Sequence, residues 1–118
     1  MNNGVTIKNV IQNKDLKEFI YFPYQLNRND RNWVPPLLLT QKQLFNTKHL
    51  FWKRSPHQFL LAIKNGKCVG RIAVFVNMEH NSFHNLNQAC FGFLAAENEI
   101  KIYRELLMDA ENVARKKK

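Results

Sequence analysis

Apolar and polar residues alternate over VTIKNV, Val5 to Val10, which predicts a short β-strand near the start of the chain. The period then lengthens: Leu16, Phe19, Ile20 and Tyr24 recur at helical spacing, with Asn13 placed to cap and Asp15 and Glu18 near the positive end of the helix. Pro23 is expected to end or kink this helix, because proline lacks the N–H that a helix interior needs. NRNDRNWVPPLLL predicts an irregular connection, extended around Trp33, whose ring either lines a cleft or packs beneath the loop. Leu37 to Phe45 predicts a short helix, and NTKHLFWKRSP a return to loop.

The strongest local pattern follows. QFLLAIK and KCVGRIAVFVN are two strand-like runs joined by Asn65-Gly66, which predicts a hairpin with a type I′ turn, since Asn and Gly accept the positive φ that turn requires. Gly70 inside the second run predicts a bulge or a close approach of another backbone. ACFGFLA, Ala89 to Ala95, reads as a further strand. Beyond it Ile100, Tyr103, Leu107, Ala110 and Ala114 form a helical stripe, widened by Leu106 and Val113, with Asn98 as its expected cap.

VNMEHNSFHNLNQ, between the last two strands, holds the most suggestive chemistry. On a helix, Glu79, His80 and His84 would share a face as zinc ligands often do; in a turn the i, i+4 spacing has no such meaning. The density of Asn and Ser predicts a loop, so no metal site is expected. Cys68 and Cys90 lie in strand-like runs without zinc-finger spacing and are expected to be small buried hydrophobes.

Charge changes the picture little. The 118 residues carry a formal net charge of +9. The cations are scattered, as at Lys14, Lys17, Arg28, Arg31, Lys64 and Lys67, and only Arg115 to Lys118 form a run, at a helix end that favours cations. Phe51, Trp52, Lys53 and Arg54 mix aromatics with cations as single-strand binders do, or as a snorkelling loop over a core does. There is no signal-peptide pattern, and apolar runs such as IAVFV are too short to span a bilayer, so a cytoplasmic chain without membrane contact is expected.

KNGKCVGRIAVFVN is similar to the second and third strands of the GNAT (Gcn5-related) N-acetyltransferase superfamily, where a G-x-x-V-G-x-I pattern recurs. FPYQLNRNDRNWVPPLL, KNGKCVGRIAVFVNMEHNSFHN and FGFLAAENE, followed by the amphipathic helix, resemble the N-terminal part of a mostly uncharacterised bacterial branch of that superfamily. The resemblance implies an α+β fold: a mainly antiparallel sheet of about four strands with flanking helices, lacking the C-terminal half. Residues 1–118 would then be a single incomplete GNAT-like domain.

Two departures from the family shape the functional expectation. The family's phosphate-binding Q/R-x-x-G-x-G/A turn has no counterpart in FLAAENEIKI, where Glu97 and Glu99 would repel a phosphate. No residue is therefore assigned to catalysis or cofactor binding, and acetyl-CoA is implied only for complete relatives. The resemblance also implies a fifth strand and later elements that residues 1–118 do not include. The expectation is a truncated or split N-acetyltransferase-like protein, inactive alone, whose complete relatives transfer an acyl group from acyl-CoA to an amine. The alternatives are a small basic non-enzymatic protein that binds a protein or nucleic-acid partner, or a decayed gene product. An uncovered fourth-strand edge predicts self-association, pairing with a second polypeptide, or marginal stability. Specific nucleic-acid binding is not expected.

Overall fold

The computed structural model describes residues 4–46 and 50–117. Asn65 and Gly66 both take positive φ, 54° and 75°, and join β2 (His57–Lys64) to β3 (Lys67–Phe75) in the expected tight hairpin. β1 (Val5–Asn9) pairs with the outer side of β2, and β4 (Cys90–Ala96) with the outer side of β3, all antiparallel. The result is one four-stranded sheet in the order β1-β2-β3-β4. With helices flanking it, this is an α+β architecture consistent with part of a GNAT-like fold.

Each face of the sheet is covered by different elements. α5 (Ile100–Lys117) lays Ile102, Leu106 and Ala110 on Val5, Leu60, Ala62, Ile72 and Val74. Those helical positions are buried while Ile100 is 72% exposed, so the buried stripe is rotated from the expected one. Gly70 accommodates this phase: a Cβ there would sit 2.8 Å from Leu106 Cδ1 and 3.0 Å from Ile102 Cγ2, so its absence lets these side chains settle directly on β3. β3 also carries a register shift at this point, opposite Ala62 and Ile63. The expected bulge is present, whereas what approaches Gly70 closely is side chains and not another backbone.

The opposite face is aromatic. α1 (Asn13–Leu26), α2 (Leu38–Leu44) and α3 (Leu50–Arg54) bring Phe19, Phe45 and Trp52 onto Phe59, Leu61 and Ala73. α1 is not ended by Pro23 but runs on to Leu26. Gln12, not Asn13, precedes its first residue, and α5 begins after Glu99, not Asn98. Trp33 meets Tyr24 edge-on at 5.6 Å, and the Tyr24 hydroxyl donates to the Pro36 carbonyl at 2.6 Å, so the connection is held against α1 through this tyrosine.

Three segments differ from expectation. Leu50–Arg54 is helical, not loop, and His49 lies outside the described residues. Met78–His84 forms α4, a helix closed at both ends by asparagine: the Asn77 side chain accepts from the His80 N–H at 3.1 Å, and Asn85 takes φ 54° at the C-cap. The Asn density that suggested a loop supplies the caps of a short helix. Cys68 is half-buried, its thiol pushed up to about 11 by burial, whereas Cys90 is exposed on β4 and is no core residue.

Candidate functional site

Pro23 has a structural consequence at the centre of the molecule. Without an N–H it leaves the Phe19 carbonyl, four residues back, without its helical donor. Arg71 on β3 supplies one: its Nη1 donates to the Phe19 carbonyl at 2.8 Å, and its Nε donates to the Phe93 carbonyl at 3.1 Å. Phe93 sits where β4 gains a residue, for Ala73 pairs with Gly92 but Arg71 with Ala95, and it takes φ 57°. A bulky side chain rarely adopts that backbone. One guanidinium thus fastens both the proline turn of α1 and the bulge of β4.

Arg71 is 6% exposed, and burial pulls its guanidinium down to about 10, which keeps it cationic at neutral pH. Its charge rests on the faces of Phe19 (4.8 Å) and Phe45 (5.6 Å). Phe93 lies 4.8 Å from Phe45, so the bulge also faces the aromatic layer.

His57 opens β2, and nothing in the hydrophobic pattern singles it out. Its Nδ1 lies 2.8 Å from the Ser55 carbonyl. A carbonyl only accepts, so Nδ1 is the donor, which orients the ring and leaves Nε2 outside this bond. The ring is held edge-on by Trp52 at 5.0 Å and lies 5.2 Å from Phe59. It borders a shallow cleft with Asn9, Ile11, Gln12 and Leu16, where the Gln58 amide donates to Asn9. An imidazole fixed in one tautomer beside a cleft can accept a proton.

The histidines of α4 lie elsewhere. His80 and His84 are exposed on one side of the helix, with ring centroids 4.5 Å apart. Glu79 does not join them; its carboxylate pairs with Arg54 at 3.3 Å. Asn81, the buried residue of α4, anchors the helix by donating its amide to the Gln88 carbonyl at 2.8 Å. Among the described residues no group of three or more His, Cys, Asp or Glu could hold a metal ion.

At the β4–α5 turn the carboxylates are engaged. Glu99 pairs with Lys64 at 3.1 Å and Glu97 with Lys67 at 3.7 Å, while the Glu97 N–H donates to the Val69 carbonyl. Alongside, β4 is an edge of the sheet, with no strand paired to its outer side among the described residues. Phe91 is 59% exposed, and a mostly apolar groove runs between β4 and α5, bordered by Val74, Cys90, Phe91, Leu107, Ala110 and Ala114. Phe93, on the other face of the same strand, is partly exposed as well. Among the described residues no helix is long and apolar enough to cross a membrane.

Two curated proteins resemble this chain. Protein YghO of Escherichia coli (strain K12) is 29% identical over 110 residues, which is 89% of this chain and 27% of YghO. A protein named bacterial ceramide synthase, from Caulobacter vibrioides (strain NA1000 / CB15N), is 30% identical over 100 residues, 83% of this chain and 26% of that protein. No family model matches the chain. No solved structure matches it. The chain spans about a quarter of the length of the curated relatives it matches, one of which bears an acyltransferase-type name.

Proposed function

We propose that this chain forms the N-terminal part of an acyl-CoA-dependent N-acyltransferase and that transfer requires a further polypeptide seated along β4 and α5. The observation that carries the reading is the match, over 83% of the chain, to a protein named for ceramide synthesis. A ceramide is the N-acyl amide of a long-chain amino alcohol, so the acceptor class proposed here is a long-chain primary amine and the donor an acyl-CoA, met in the cytoplasm. In such a transfer the amine nitrogen attacks the thioester carbonyl, the C–S bond breaks, and the thiol leaves as the amine gives up a proton. The resemblance of GKCVGRI to the GNAT pattern supports the same reaction class.

The bare edge of β4 and the groove beside it support the second half of the proposal. An unpaired strand edge flanked by apolar side chains favours an added strand, which would satisfy its N–H and C=O groups and cover Phe91 and Leu107. The test is to produce this chain alone and together with the remaining three-quarters of the Caulobacter relative as a separate polypeptide. The expected result is a complex that forms an amide from acyl-CoA and a long-chain amine, with no product from the chain alone. Transfer by the chain alone would refute incompleteness. A stable complex inert toward every acyl-CoA and amine pair would refute the acyltransferase reading.

A further inference from the structure

We propose that His80 and His84 form a two-imidazole chelating site for a divalent cation of the copper, nickel and zinc class, independent of the acyl-transfer reading. The inference rests on α4 being a helix. One turn separates the two residues, which puts both rings on one side of the helix with centroids 4.5 Å apart. Both rings are exposed, and among the described residues neither has a hydrogen bond or ion pair that would occupy its nitrogens. The neighbouring carboxylate is already engaged with Arg54.

The helix is short, yet its spacing is held. Asn77 and Asn85 close its two ends, the Leu86 N–H donates to the Asn81 carbonyl at 2.8 Å, and the Asn81 amide ties it to Gln88. Two ligands on such a turn need no large backbone movement to close on an ion, only rotation of two solvent-facing rings.

Rotation of the two exposed rings would let one nitrogen of each meet the same ion as neighbouring ligands. Affinity should follow Cu²⁺ first, with Ni²⁺ and Zn²⁺ weaker. Positions not filled by imidazole remain for water or an outside donor.

The test is titration of the full chain with Cu²⁺ alone, read by calorimetry and by electron paramagnetic resonance. The expected result is one ion per chain with the superhyperfine pattern of two imidazole nitrogens. His80→Ala and His84→Ala should each leave a one-imidazole spectrum and weaken binding by about tenfold or more. Both residues are exposed, so neither replacement threatens the fold. Ser82→Pro keeps both rings but breaks the turn between them, and should cause the same loss. Unchanged affinity and spectrum in the double variant would place the ion elsewhere and overturn the site. So would the absence of stoichiometric binding, and retention of the two-nitrogen spectrum in Ser82→Pro would overturn its helical geometry.

Discussion

Beneath α1 the aromatic rings have partners on several sides, whereas along β4 rings of the same kind face solvent. Phe59, 3% exposed, lies 4.9 Å from Phe19, 5.0 Å from Trp52 and 5.7 Å from Phe45. Phe91, two strands away, is 59% exposed, with Leu107 and Met108 of α5 exposed nearby in sequence to the groove it borders. Both regions belong to one sheet, so residue type does not distinguish them. What differs is whether the chain itself supplies the facing layer. Beneath α1 the helices α1, α2 and α3 do so; at β4 the sheet ends, among the described residues, without a strand on its outer side.

The largest test of this contrast is a pair of matched truncations. Phe59→Ala removes a ring from a closed cluster and should cost about 3–5 kcal/mol, while Phe91→Ala should change stability by less than about 1 kcal/mol. Urea denaturation midpoints of the two variants check this, and equal losses would erase the distinction. Phe91→Ala should instead weaken capture of the second polypeptide proposed above, if the β4 edge is where it seats. Arg71→Ala comes next: it leaves the Phe19 and Phe93 carbonyls without their donor, at about 1–3 kcal/mol for each buried acceptor. Arg71→Lys should not restore the loss, because one ammonium on a flexible stem does not replace a planar fork aimed at two carbonyls.

How much of this was legible in the sequence depended on the range of the interaction involved. The β2–β3 hairpin is written in Asn65-Gly66, and the consequence of Gly70 was also readable, since a missing Cβ has few uses inside a strand. α4 was misread for a physical reason: asparagine marks loops and also caps helices, and seven residues are too few to display an apolar stripe. The Arg71 clamp could not be read at all. Its acceptor on Phe19 lies 52 positions away and exists only because Pro23 lacks an N–H. His57 was missed likewise, for only the backbone path from Ser55 sets its tautomer. The position of β4 at the sheet edge agrees with the strand order expected from the sequence, whereas the phase of α5 against it does not.

Gly70 offers a smaller test on the α5 face. An added methyl would stand 2.8 Å from Leu106 Cδ1, 3.0 Å from Ile102 Cγ2 and 3.2 Å from Ala96 Cβ. Gly70→Ala should therefore cost about 1–3 kcal/mol through overpacking, despite alanine's better backbone propensity. The nearest atom is the end of a leucine, so Leu106→Ala should relieve part of the clash. A double-mutant cycle should give a favourable coupling between the two replacements, and strict additivity would show that α5 does not rest on Gly70.

The smallest effect concerns the other edge of the sheet, where an ion pair ties β1 to α1. Lys8 on β1 reaches Asp15 on α1 at 2.9 Å, and the Asp15 carboxylate is nearly buried while the lysine is half exposed. The hydrogen bond from Lys8 is the main cause holding the Asp15 carboxyl below its usual range, against the opposing effect of burial. A carboxyl whose folded-state value is depressed stabilises the fold above its unfolded value, near 4, and loses that contribution as pH falls through the lower folded value. Stability should therefore decline from about pH 5 downward partly through this group. Asp15→Asn should flatten that portion of the profile and leave neutral-pH stability only slightly reduced, because the pair is half open to solvent and screened. Urea melts of both proteins at a series of acidic pH values check this. An identical acid slope in the variant would mean that the Lys8–Asp15 pair does not hold β1 against α1.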